Sequence, residues 1–146
     1  MSIDWLRFIH ILSALWLAAG LFGGAVARAS AKRSGSVDAR AMALTIARRL
    51  TAVFTLPGAI VSGFIGFALL GLRRYAFSLP WVWLSLVLYG ILLALIILVV
   101  SPQLKRAAAS AADGHDVEFP KLAGIFSDVG SLVVVILTWL MVVRPG

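Results

Sequence analysis

Residues 79–100 read LPWVWLSLVLYGILLALIILVV, 22 positions without one charged side chain. As a helix at 1.5 Å per residue they extend about 33 Å, enough to cross the roughly 30 Å hydrocarbon layer of a bilayer. The stretch does not alternate apolar and polar residues as a barrel strand would, so a helix is its spanning form.

Three further segments of similar length flank it, at about residues 5–27, 51–72 and 123–143. The whole chain of 146 residues is 62% hydrophobic and 13% charged, with a mean hydropathy of +1.03. A soluble domain is roughly half apolar and about a quarter charged, and a chain this short could not hide the excess in one core. The expected fold is all-α, a single domain built as an antiparallel bundle of four transmembrane helices. The first segment is longer than the apolar core of a signal peptide. Asp4 and Arg7 open it and the basic run follows it, which predicts a retained helix. The chain has no cysteine, which excludes disulfides, iron–sulfur clusters and thiolate metal sites.

The net charge of +7 would raise nucleic acid as a partner in a soluble protein. Here the bases lie between apolar segments, which points to membrane topology and lipid headgroups and to no nucleic acid. Arg28, Lys32, Arg33, Arg40, Arg48 and Arg49 lie in the first connection, and Lys105, Arg106 and Lys121 in the third. Arg7, Arg73, Arg74 and Arg144 lie on the opposite side. Positive charge favours the cytoplasm. Residues 28–50 and 101–122 are therefore expected inside a bacterial cytoplasmic (inner) membrane, with both termini outside. Residues 28–36 read as irregular. Residues 37–50 read as a short interfacial helix leading into segment two. Residues 103–112 extend helix three past Pro102, with Asp113-Gly114 as the stop. The short link at 73–78 makes helices two and three antiparallel neighbours.

Small residues recur four apart. Gly20 and Gly24 share a face of segment one, and Gly58, Ser62 and Gly66 share one of segment two, with Ala59 and Gly63 beside it. Such faces let helix backbones approach closely, within the bundle or across a homodimer. Trp5, Trp81, Trp83 and Trp139 fall near one interface, as an aromatic belt requires, and Trp16 is deeper and reads as core.

Polar groups inside lipid carry the chemical candidates. His10 lies roughly 7–8 Å below the boundary, counted from Trp5 at 1.5 Å per residue. Ionisable groups at such depth mark functional sites by default. A neutral imidazole there suits a haem iron, a metal such as copper, or a proton relay. The alternative is a histidine hydrogen bonded to a helix carbonyl. Asp128, near the start of segment four, reads as an acid favoured by the helix dipole. Pro57 should kink segment two. Ser85 and Thr138 are expected to bond to their own helices. His115, among Asp113, Asp116 and Glu118, reads as part of a solvated loop. No phosphate loop, HExxH or nucleophile elbow is present.

The run Phe8-Ile9-His10-Ile11-Leu12-Ser13-Ala14-Leu15-Trp16, followed by Ala19-Gly20-Leu21-Phe22, resembles the first helix of a superfamily of small bacterial membrane proteins. That superfamily includes the HemJ-type protoporphyrinogen IX oxidase and the membrane domain of CopD-like copper-resistance proteins. With Pro57-Gly58, Gly63 and Gly66 in the second segment and Pro80-Trp81 opening the third, the chain is most similar to a sister family. That family comprises predicted integral membrane proteins of unknown function. Val142-Val143-Arg144-Pro145 is similar to the oxidases' closing Lys-Pro, and Ser127-Asp128 falls where they have Asn-Glu. The resemblance implies haem b at His10, which falls on the oxidases' helix-one histidine. The lysine implicated with it would fall near Ser85, which supplies no base, so the resemblance does not carry oxidase activity across. Ligation by His10 alone, by His10 of two copies, or by His10 with Met141 stays open.

Two functions follow with equal weight: a haem b protein acting in redox or haem handling, and a structural or partner-binding subunit without catalysis. Metal or solute transport is a third, for which the helices lack the ligand ladders and charged path such work uses.

Overall fold

The computed structural model describes residues 2–73 and 79–143. Four long helices make up the chain: α1 (Ile3–Ser34), α2 (Val37–Leu72), α3 (Pro80–Ala112) and α4 (Lys121–Val143). All four are long and apolar enough to cross a membrane, and no strand occurs among the described residues. The chain is an integral membrane protein. At most 33% of each apolar window is buried against protein. Many large apolar side chains, Phe64 and Leu98 among them, point outward, as lipid and not water requires.

Around the bundle α1 packs along α2 and against α4, α4 packs on α3, and α3 returns to α2. The middle of the bundle is closed by Leu17 and Leu21 of α1, Ala59 of α2, Leu92 and Ile96 of α3, and Val134 and Leu137 of α4. A second core lies toward the end where the basic connections gather, here termed the basic end. It joins Leu44 and Ala47 to Val100, Leu104, Ala107, Ala108 and Ala123. The short link expected at 73–78 lies, from residue 74 on, outside the described residues, as do Arg144 and Pro145.

The basic end differs from the expectation in two ways. Residues 28–34 are helical, not irregular, because Ala, Lys and Arg are strong helix formers and nothing breaks the helix before Gly35. Gly35 turns the chain in the left-handed region at φ 68, with its N–H on the Ala31 carbonyl. Ser36 then caps α2 by accepting from the Ala39 N–H. The second difference concerns residues 37–50. Their apolar face, Ala43, Leu44 and Ala47, is buried in the protein, against α1 and the far end of α3. As expected they are helical and lead into the membrane part of α2, through the turn at Thr51–Thr55.

Two five-residue π-helical turns interrupt the rods, Thr51–Thr55 in α2 and Ile96–Val100 in α3. Each ends two residues before a proline, Pro57 and Pro102. Proline has no N–H and its ring collides with the carbonyl four residues earlier, and a wider turn relieves the collision. The carbonyl that Pro57 cannot serve is that of Val53. It accepts instead from the indole Nε1–H of Trp16, at 2.9 Å. The Trp16 ring also stacks on Phe54 at 5.1 Å. Trp16 is therefore half exposed, not core. Trp16→Phe keeps the ring stack and removes the donor. It should cost about 1–2 kcal/mol, the price of an unmatched carbonyl, read from unfolding in mixed micelles. An unchanged stability would mean that the carbonyl needs no partner.

Candidate functional site

His10 stands on the second turn of α1 and reaches across to α2. Its Nδ1 is 3.0 Å from the Ser62 backbone oxygen and 3.4 Å from the Ser62 hydroxyl. A carbonyl oxygen only accepts, so Nδ1 carries the hydrogen and Nε2 is left as the lone-pair atom of the neutral ring. Gly66 admits the ring: a Cβ there would lie 3.2 Å from His10 Cε1. At Gly58 a Cβ would lie 2.6 Å from the Leu17 nitrogen and 2.9 Å from the Ser13 oxygen. The Gly58–Ser62–Gly66 stripe is thus the face that α2 turns to α1. Ser13 donates to the carbonyl of His10 itself, at 2.9 Å.

Tyr89 of α3 completes the polar belt. Its hydroxyl donates to the Ala59 carbonyl, and Gly63 leaves room for its ring. Ser85, one turn from Tyr89 on the same face of α3, is buried, and its hydroxyl has no partner among the described residues. Thr138 bonds to its own helix through the Val134 carbonyl. Met141 is on the exposed side of α4, while Leu137 and Leu140 turn inward. Among the described residues no three His, Asp or Glu side chains converge as a metal-ligand set. His115 is exposed, and its Nδ1 lies 3.3 Å from the Ser110 oxygen.

A second polar group sits about 27 Å along α1 from His10. The Arg28 guanidinium donates to the Asp128 carboxylate, and its carbon is 5.8 Å from the Phe119 ring centroid. Gly124 leaves the space that the guanidinium fills. Asp128 lies about two turns inside α4. The dipole fades within the first turn, so Asp128 is held by Arg28 and not by the helix terminus. Arg40 makes a similar bond to Asp116, at 2.7 Å. Arg28→Gln and Asp128→Asn should each destabilise the protein. The double variant should lose about 1 kcal/mol less than the sum, a coupling in the range for partly exposed pairs. A thermodynamic cycle in micelles checks this, and strict additivity would show that the two groups do not interact.

His10 was legible as a candidate from its depth. A bond to a helix carbonyl was the alternative expected for it, and the Ser62 oxygen is that carbonyl; which residue supplies it leaves no mark in a sequence. Tyr89 was missed, although it is one of two non-tryptophan polar groups in residues 79–100. Thr51 and Thr55 were missed because threonine is common in apolar helices.

Fold and site define a class: a four-span helical membrane protein joined by small-residue faces, with a single imidazole held inside the membrane. The chain belongs to the family described as predicted integral membrane protein (DUF2269), whose model matches residues 4–145. No curated protein and no solved structure matches it.

Proposed function

We propose that this protein binds haem b through His10 and works in the membrane as a redox or haem-handling protein. The observation that carries the reading is the hydrogen bond from His10 Nδ1 to the Ser62 carbonyl. Histidines that ligate metals typically donate their other nitrogen to a carbonyl or carboxylate, which sets the tautomer and the ring's direction. The same bond here leaves Nε2 for iron. His10 would supply one ligand to the iron. Met141 lies on the exposed side of α4, and in this reading His10 of a second copy completes the pair. When bound, haem b supplies one-electron chemistry. Ser62 fixes the imidazole, Gly66 admits it, and lipid excludes water around it. The helix-one likeness to the HemJ-type oxidases supports the choice of haem. A dithionite-reduced minus oxidised spectrum of purified protein tests it, with haem bands in the wild type and none in His10→Ala.

The reading that His10 is only a packing group has its own support. The hydrogen bond to Ser62 ties α1 to α2, as a purely structural histidine would do. A colourless protein after expression with ample haem favours that reading, and with it a non-catalytic membrane subunit.

In the proposed topology the basic end faces the cytoplasm of a bacterial inner membrane, by the excess of Lys and Arg there. Lys32 is exposed, and the chain is free of cysteine. Lys32→Cys should react with a membrane-impermeant thiol reagent in inverted vesicles and not in right-side-out ones. The opposite pattern reverses the topology.

A further inference from the structure

A groove of about 360 Å3 opens between α2 and α3 at the basic end, beside the second core. Ala41 and Thr45 of α2 and Ala111 and Ala112 of α3 line it, all small and uncharged. Met42 and Ile46 stand along its α2 wall, 67% and 37% exposed. Arg49 lines its membrane end, two residues before the π-helical turn that begins at Thr51.

The cations at that end come from two helices. α2 runs toward the membrane and α3 runs out of it, and Met42 and Ala112 both line the groove. Arg49 is seven residues inward from Met42, and Lys105 is seven residues inward from Ala112, about 10 Å in each case. Seven residues make about two turns, so Lys105 lies on the Ala112 side of α3. Arg49 and Lys105 therefore stand at similar depth, one on each helix, with Arg48 adjoining. All three are exposed, and none forms an ion pair among the described residues. Arg28 and Arg40, in contrast, are taken by Asp128 and Asp116. Along the two helices here, acids occur only at the outer end, at Asp38 and the capping Asp113.

This pattern fits a ligand always present at that depth. The headgroup layer is about 5–8 Å thick on each side of the hydrocarbon, and the groove extends about 10 Å outward from Arg49. A phosphate at the level of Arg49 and Lys105 gains charge-assisted hydrogen bonds from both. The rest of a headgroup then lies along the small residues, with its methylenes against Met42 and Ile46. An inorganic anion would use the bases and leave the apolar wall bare, whereas an amphiphile uses both.

We propose that this groove binds the headgroup of an anionic phospholipid, its phosphate held between Arg49 and Lys105. The site orders one lipid of the adjoining leaflet against α2 and α3. It is remote from His10, and the proposal stands whether or not His10 binds haem.

Native mass spectrometry of the full chain released from micelles reads bound lipid directly. Dioleoyl phosphatidylglycerol is the anionic probe and dioleoyl phosphatidylcholine the zwitterionic one. One phosphatidylglycerol per chain should bind at least about tenfold more tightly than phosphatidylcholine. The double variant Arg49→Gln/Lys105→Gln should lose that preference, each base contributing about fivefold. Thr45→Trp fills the groove without changing its charge and should also lose the bound lipid. Lys32→Gln/Arg33→Gln removes the same charge from α1, outside the groove, and should keep the preference. Four results overturn the proposal: no preference in the wild type, equal loss in the two double variants, lipid retained by Thr45→Trp, or displacement of the lipid by free glycerol 3-phosphate.

Discussion

Replacing Gly58 with alanine should lower stability by about 2 kcal/mol, although alanine is the better helix former. The added methyl would stand 2.6 Å from the Leu17 nitrogen, 2.9 Å from the Ser13 oxygen and 3.0 Å from the Leu17 Cα. All three are backbone atoms of α1, so no rotamer change relieves the clash. Overpacking of this kind costs about 3 kcal/mol at the upper end of its usual range. Helix propensity returns about 1 kcal/mol. Separation of α1 from α2 would also lengthen the His10–Ser62 bond, since Ser62 is one turn from Gly58 on the same face. Gly24→Ala is the matched comparison. It meets nothing within 4 Å, so the propensity gain is unopposed and the protein should be as stable or slightly more so. Reversible unfolding in micelles with increasing denaturing detergent reads both. Equal effects at the two positions would show that α1 and α2 do not meet at Gly58.

The second large effect is expected at His10. His10→Ala should abolish the haem difference spectrum and also cost about 1 kcal/mol through the lost bond to Ser62. Those two losses can be separated. His10→Gln keeps an N–H donor able to reach the Ser62 carbonyl but offers no imidazole to iron. If His10 is a ligand, Gln restores stability and not the spectrum. If His10 only packs, Gln restores everything there is to restore.

The four spans were readable because a bilayer imposes a length and a composition that few other environments demand. The stretch at 79–100 carries both without ambiguity. Helix ends were harder. Nothing in residues 28–36 distinguishes a charged linker from a charged helix except the placement of Gly35, and the helix runs to its last possible residue. The face of residues 37–50 was visible as amphipathic, but the pattern does not say whether lipid or protein covers it, and α3 covers it here. Pro57 announced a disturbed helix. Its consequence, an orphaned Val53 carbonyl met by Trp16, depends on which helices are neighbours. Asp128 looked like a terminal acid because the start of α4 was placed at 123, two residues past Lys121, where the helix begins. Its partner Arg28 lies 100 positions away, a pairing only the folded bundle makes.

In the proposed function the Nε2 of His10 is a haem ligand. Titration of haem into the purified apoprotein, wild type beside His10→Gln, tests it most directly. A saturable Soret change is expected in the wild type, with an affinity at least about tenfold weaker in the variant, as loss of a coordinating imidazole requires. Indistinguishable titrations of the two proteins would contradict it and leave His10 as the clasp between α1 and α2.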